Sequence, residues 1–288
     1  MTPNEFGRLT AVALRHPDAA FVDTGRIAAQ WADLTWHSAP DLAAARAEYA
    51  AFEALLREAG AEIVHLPNGD GLTLDSLYVR DALIVTPTGL VLAAMGKPAR
   101  AGEPAANAAA LEKAGYPVIG AIAAPGRVEG GDLVWLDAAT LVAGHTYRTN
   151  PAGIAQLAAL AGPEVTVHTV QMPHHKGAAD VFHLMSVLSP IDRDLALVYP
   201  PLAPVALMEL LAGRGIAIVA VPDEEFASMG CNVLATAPRR CIMVAGNPQT
   251  RGRLEAAGAT VHVIEGSEIC RKGEGGPTCL TRPLARVE

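Results

Sequence analysis

The sequence predicts an α/β propeller of five pseudo-symmetric ββαβ units arranged in a ring. Three observations predict it: a recurring order of apolar segments, a near-constant spacing of polar landmarks, and ample core material. In each unit two apolar runs flank a turn, an Ala-rich amphipathic segment follows, and a short β-branched run closes the pattern. Asp81, Asp132, His183, Cys231 and Cys279 stand at or just before the first run of successive units, at intervals of 51, 51, 48 and 48 residues. Such a period with one sheet per repeat favours radial closure, which reduces exposed sheet edges. An ordinary α/β sandwich with accidental spacing is the alternative, and it leaves the regular intervals unexplained. Of the 288 residues, 51% are hydrophobic and 18% charged. No linker-like stretch divides the chain, so one domain over residues 1–288 is expected.

Taken in order, the paired runs are Ala82–Ala94 with a turn at Pro87-Thr88-Gly89, and Asp132–Ala143 with a turn at Asp137-Ala138. Leu184–Tyr199 turns at Asp192-Arg193-Asp194, and Asn232–Ala245 turns at Ala237-Pro238-Arg239. The last pair is split between the chain ends, Cys279–Leu284 and Leu9–Leu14. Closing strands are expected at Ala61–Leu66, Tyr116–Ile122, Val165–Val170, Gly215–Val221 and Thr260–Ile264. Helices are expected at Asp41–Glu58, Asn107–Lys113, Pro151–Leu160 and Pro204–Ala212, where Asp, Asn and Pro make suitable helix starts.

A net charge of −8 argues against a nucleic-acid partner. Four cysteines without a CxxC pair suggest neither a disulfide framework nor a zinc site, and read as free thiols in a reducing compartment. The first residues, through Arg15, include Glu5 and Arg8 and lack an apolar signal core, and no apolar run is long enough to span a bilayer. The expectation is a cytoplasmic protein with no membrane partner. No cofactor is called for, and no metal either: His174-His175 has no further ligand pattern around it and reads as a polar loop.

In a ring, equivalent repeat positions approach a common axis, so residues scattered through the sequence become neighbours. Cys279 follows a glycine-rich approach, Gly273, Gly275 and Gly276, expected to form a mobile loop. A thiol attacks as thiolate and needs a cationic or proton-accepting neighbour. His183 can protonate a leaving amine and then activate water. The acidic groups fall in two motifs, Asp75–Asp81 and Glu129-Gly130-Gly131-Asp132. Asp81 and Glu129 suit hydrogen bonding to a planar cation, whereas caps or salt bridges are equally natural roles for Asp75 and Asp132. Arg148 suits a two-toothed grip on a carboxylate, or a structural ion pair. Cys231, Cys241 and Cys270 read as small buried hydrophobes.

Together these motifs resemble the guanidine-modifying superfamily of arginine deiminases, dimethylarginine dimethylaminohydrolases and amidinotransferases, which share the five-bladed pentein fold. The resemblance rests on Glu129-Gly130-Gly131-Asp132, Gly144 to Arg148-Thr149-Asn150, Phe182-His183-Leu184 and Gly275-Gly276-Pro277-Thr278-Cys279, in order along nearly the whole chain. It implies a small-molecule guanidinium substrate attacked by Cys279, with His183 as acid and base and a thiouronium intermediate. It further implies that Glu129 and Asp81 hold the guanidinium, that Arg148 holds the α-carboxylate, and that Asp75 is a further substrate-side aspartate. Met185 stands where deiminases and amidinotransferases carry an aspartate, a likeness to the dimethylaminohydrolases. Arg80-Asp81 is nearer the deiminase pattern. The resemblance therefore implies hydrolysis of N-methylated arginine to citrulline and an amine. Arginine deiminase is the alternative; an amidinotransferase or a non-catalytic guanidine-binding propeller comes behind. The segment His16–Gln30 is expected to act as a lid, and a homodimer is open as the assembly state.

Overall fold

The computed structural model describes residues 3–178, 180 and 182–287. The chain ends and Ala179 and Val181, just before the Phe182-His183-Leu184 motif, lie outside the described residues.

Five separate sheets of three strands each form the molecule. In every sheet two strands pair antiparallel, as a hairpin in four of the five, and a third, reached through a helix, pairs parallel to the second. In the sheet Leu133–Asp137, Thr140–His145 and Thr166–Gln171, for example, the crossover is the helix Pro151–Ala161. Asn150 caps that helix by accepting from Gly153 N at 2.9 Å, and Pro151 occupies its first turn. The fifth sheet joins the chain ends: Arg282–Val287 pairs with Arg8–Leu14, which pairs with Glu62–His65.

Hydrogen bonds link each sheet to the next around the ring. Trp135 Nε1 donates to the Val85 carbonyl (3.1 Å), Leu184 N to Asp132 Oδ1 (3.1 Å), and Val233 N to Ser189 Oγ (3.2 Å). Thr278 N donates to Asn232 Oδ1 (3.0 Å), and Arg282 Nη1 returns to the Leu83 carbonyl (3.1 Å). The first two strands of each sheet are largely buried and the third is the most exposed: Leu133–Asp137 and Thr140–His145 are almost wholly buried, whereas Thr166–Gln171 is largely open. The third strands thus lie on the outside of the ring, and the bonds between sheets run from the first strands and the turns before them.

The helix expected at Asp41–Glu58 runs Leu42–Glu58 with Asp41 as its cap. It buries Leu42, Ala45, Tyr49, Phe52 and Leu56, a stripe at alternating spacings of three and four residues. One expectation needs correction. His183 does not open a strand: a 3-10 turn, Leu184–Ser186, intervenes before the strand Leu188–Asp192. Asp132 stands just before the strand Leu133–Asp137, as expected, at the end of the 3-10 turn Gly130–Asp132. A 3-10 turn before the strand sets the direction of these side chains independently of the strand's two-residue alternation. Residues 16–30 form two short helices, Pro17–Ala20 and Thr24–Gln30, and it is the following Leu34 and Thr35 that reach the axial cavity.

Candidate active site

The cysteine loop is positioned from several sides. Its base is the single turn Ser267–Arg271, whose amides at Ser267, Glu268 and Ile269 donate to the Glu48 carboxylate. Tyr78 Oη donates to the Ile269 carbonyl at 3.1 Å. Gly273 faces Tyr78 and Trp36, Gly275 faces Tyr78, and Gly276 faces Asn232, at distances where a Cβ would collide. The glycines expected to make a mobile loop therefore serve close packing. Arg80, fully buried, closes the arrangement: its Nε donates to the Thr278 carbonyl, its Nη1 pairs with Glu5 at 3.2 Å, and its amide donates to the Cys279 carbonyl at 3.2 Å. Arg80 thus shapes the loop beneath the thiol.

Five of the six residues singled out in the sequence line one cavity of about 80 Å³: Cys279, His183, Asp75, Asp81 and Arg148. Glu129 stands behind them, completely buried. Its Oε2 meets His183 Nε2 at 2.8 Å, and its Oε1 accepts from Gly96 N (2.8 Å) and Arg148 Nη1 (3.2 Å). All three partners are protein groups, so the direct grip on a planar cation expected of Glu129 is here directed to His183 and Arg148. Asp81 takes Gly131 N on Oδ1 at 2.9 Å and Arg100 Nη1 on Oδ2 at 2.7 Å. Its Oδ1 lies 3.8 Å from His183 Nδ1, the ring nitrogen turned away from Glu129. Gly131 fits between them because it has no side chain; a Cβ there would strike the His183 ring and lie 2.8 Å from Asp81 Oδ1.

Burial alone would lower the His183 pKa, but the carboxylates of Asp132, Asp81 and Glu129 outweigh it and raise it to about 9. Glu129 moves the opposite way: against the cost of burial, the His183 hydrogen bond and nearby cations hold it at about 2. Asp132 is raised to about 6 by burial, and it anchors the His183 turn through Leu184 N and accepts from Thr146 Oγ1 at 2.7 Å. For Cys279, burial and the negative charge of Asp81 push the thiol up, while the Asn232 amide, 3.2 Å from Sγ, and Arg80 oppose them. Cys279 is partly exposed, whereas Cys231, Cys241 and Cys270 are buried. Asp81, Glu129 and His183 present ligand-type atoms within 4.8 Å of one another. Arg100 and Arg148 already balance the two carboxylates and His183 holds a proton, so the group suits a proton relay better than a metal ion, which needs neutral imidazole.

Among the cavity residues that escaped the sequence reading are Leu34, Thr35, Lys97, Arg100 and Asn232. Asn232 directly follows a repeat landmark, Cys231. Lys97 precedes Arg148 by 51 residues, the interval that separates Asp81 from Asp132, so its signal was present in the spacing. Leu34 and Arg100 carry no such mark. Among the described residues no helix is long and apolar enough to cross a membrane.

A family model for arginine deiminase matches residues 74–212 and 203–286. The Bacillus subtilis protein YkgA is 31% identical over 233 residues, 81% of this chain and 77% of its own. Rhodococcus opacus arginine deiminase is 30% identical over 189 residues, 55% of this chain and 46% of that enzyme, so the alignment spans about half the length of that curated deiminase. Among solved structures, DDAH from Pseudomonas aeruginosa, complexed with citrulline, superposes with a TM-score of 0.77 at 24% identity, over 95% of this chain and 98% of that one. The amidinotransferase SxtG from Microseira wollei gives 0.79 at 18% identity, over 98% and 96%. At these identities both structures speak for the fold, the pentein fold of five small sheets. With the family model covering most of its length, this chain belongs to the arginine deiminase family.

Proposed function

We propose that the protein is a cysteine hydrolase of guanidines, converting an N-substituted guanidinium into a ureido product and a free amine. The observation that carries this reading is the shared cavity, where a partly exposed thiol stands with Asp81 and an imidazole hydrogen-bonded to the buried Glu129. With its pKa pushed up, Cys279 rests as the thiol at neutral pH. A guanidinium bound beside Sγ favours its ionisation: at ~4 Å and an effective dielectric near 20 the attraction is about 4 kcal/mol before desolvation.

The thiol proton leaves to solvent and Sγ adds to the guanidinium carbon. His183, protonated because its pKa is about 9, gives its proton to the departing amine as the C–N bond breaks. A thiouronium remains on Cys279. The neutral imidazole then takes a proton from water, whose oxygen adds to the same carbon. The C–S bond breaks, the second water proton is lost as the carbonyl forms, and the ureido product departs. Asp81 faces the guanidinium, Glu129 and Asp132 keep His183 charged and oriented, and Arg148 offers donors to a carboxylate. Met185, buried in the cavity wall, gives an N-substituent an apolar neighbour.

N-methylated arginine, yielding citrulline and methylamine or dimethylamine, is the substrate named by the resemblance. Arginine, yielding ammonia, is the second reading, favoured by the family-model match. The test incubates purified protein with dimethylarginine, monomethylarginine, arginine and the same guanidines on acids without an α-amino group. Released amine and ureido product are measured. Methylamine or dimethylamine release supports the proposal. Ammonia release from unsubstituted guanidines alone moves the assignment to a deiminase, and amidino transfer to an added amine moves it to a transferase. Tight binding without turnover of any compound leaves a binding propeller.

A further inference from the structure

Asp75, the further substrate-side aspartate that the resemblance implies, lines the cavity, and both of its oxygens are engaged. Oδ1 accepts from Trp36 Nε1 at 2.9 Å and Oδ2 from Lys97 Nζ at 2.6 Å. Lys97 Nζ also donates to the Leu34 carbonyl at 2.8 Å. A carboxylate oxygen and a carbonyl oxygen converging on one ammonium are what a substrate α-ammonium would need. Here the ammonium belongs to the protein. The Lys97 side chain is 22% exposed and lines the cavity, so it stands at the site's surface.

Arg148 comes up alongside. The amide of Gly96, next to Lys97, donates to Glu129 Oε1, the atom that also takes Arg148 Nη1. A Cβ on Gly96 would lie 2.8 Å from Arg148 Cδ. Lys97 and Arg148 occupy equivalent positions of successive repeats, 51 residues apart. An ammonium has three N–H donors and a guanidinium five; Lys97 engages two acceptors and Arg148 one. Two cations with donors to spare suit an anion.

We infer that Lys97 is a specificity-determining residue: it fills the ammonium cradle of Asp75 and Leu34, and selects guanidino carboxylic acids that lack a free α-ammonium. Their carboxylate is held by Lys97 and Arg148. A substrate bearing an α-ammonium competes with Lys97 for the same two acceptors and adds a like charge beside it. The inference rests on the guanidine-hydrolase reading and concerns the other end of the substrate.

The test compares desamino-arginine with arginine, and their N-methyl derivatives, in two assays. The first is turnover by the wild-type protein; the second is calorimetric binding to Cys279→Ala, which needs no chemistry. The desamino compounds are expected to show at least tenfold higher kcat/KM and at least tenfold tighter binding. Lys97→Met, which keeps the length of the side chain and removes its charge, is expected to shrink or invert both ratios. Equal or better use of the α-amino compounds by the wild-type protein overturns the inference while leaving the hydrolase reading intact. Preferential binding of the desamino compounds without any turnover upholds the inference and overturns hydrolysis. Failure of every guanidine to bind or react overturns both.

Discussion

Cys231 and Cys279 stand one repeat apart, 48 residues, and just before the first strands of adjacent sheets. Their surroundings have little else in common. Cys231 is buried, with Sγ 3.9 Å from the Leu197 carbonyl, and burial drives its thiol far above the ordinary range. Cys279 is partly exposed to the cavity, and an amide side chain stands beside its sulfur. In the fourth sheet the residue that shares the cavity with Cys279 through a direct hydrogen bond is Asn232, one position later: its Nδ2 donates to Cys279 Sγ and its Oδ1 accepts from Thr278 N. A repeat thus delivers backbone to the axis, and a shift of one residue decides which side chain becomes chemistry and which becomes core.

The largest expected effect comes from replacing the two thiols separately. Cys279→Ser should lower kcat by about 10⁴-fold or more, as loss of a nucleophile does elsewhere. Cys231→Ser should leave turnover near wild type but lower stability by about 1–3 kcal/mol, because a hydroxyl replaces a buried sulfur. Ureido-product assays and urea denaturation read the two outcomes. A folded Cys231→Ser protein without turnover would break the comparison.

His183→Gln should reduce kcat by about 10²–10⁴-fold, while Cys279 remains open to alkylation. Loss of alkylation together with turnover would show that His183 supports the loop and not the proton transfers.

A smaller change is expected for Asn232→Ala. The amide donor favours the thiolate, and a hydrogen bond to a charged group is worth about 1.5 kcal/mol, or roughly one pH unit. The alkylation rate of free wild-type protein should still be climbing above pH ~8.5, the ordinary thiol value, because the Cys279 pKa is raised. The variant's profile should lie higher again. A wild-type rate already maximal at pH 6 would contradict a thiol activated by its substrate.

A further effect is on the folded state. His183 has a pKa of about 9 when folded, against an ordinary 6.5. Its stabilising contribution is therefore complete below about pH 6.5 and is lost as pH rises through about 9. Thermal melts across that window should show a falling Tm, and Glu129→Gln, which removes a carboxylate partner of the imidazole, should flatten the fall. An unchanged slope in that variant would assign the titration to another group.

The five-sheet ring, the approach of Cys279, His183 and Asp81 to one axis, and the capped helix after Asp41 were legible in the sequence pattern, whereas substrate-side roles for Asp75 and Arg148 were chosen over structural ones only through the family resemblance. Hydrophobic periodicity and a constant interval carry that information locally, residue after residue. What tertiary structure alone decided was which groups meet. Arg80, which looked like a clue to substrate choice, is spent on Glu5, 75 residues away, and on the Thr278 carbonyl. Lys97 sits on Asp75 and Leu34, and Arg100 on Asp81. Glu129 turns to His183, 54 residues on. Spacing determines where the backbone of each repeat lies around the ring. The turn conformations at the inner strand ends, and the pairing of charges between segments distant in sequence, determine which side chain faces the cavity and what remains free for a ligand.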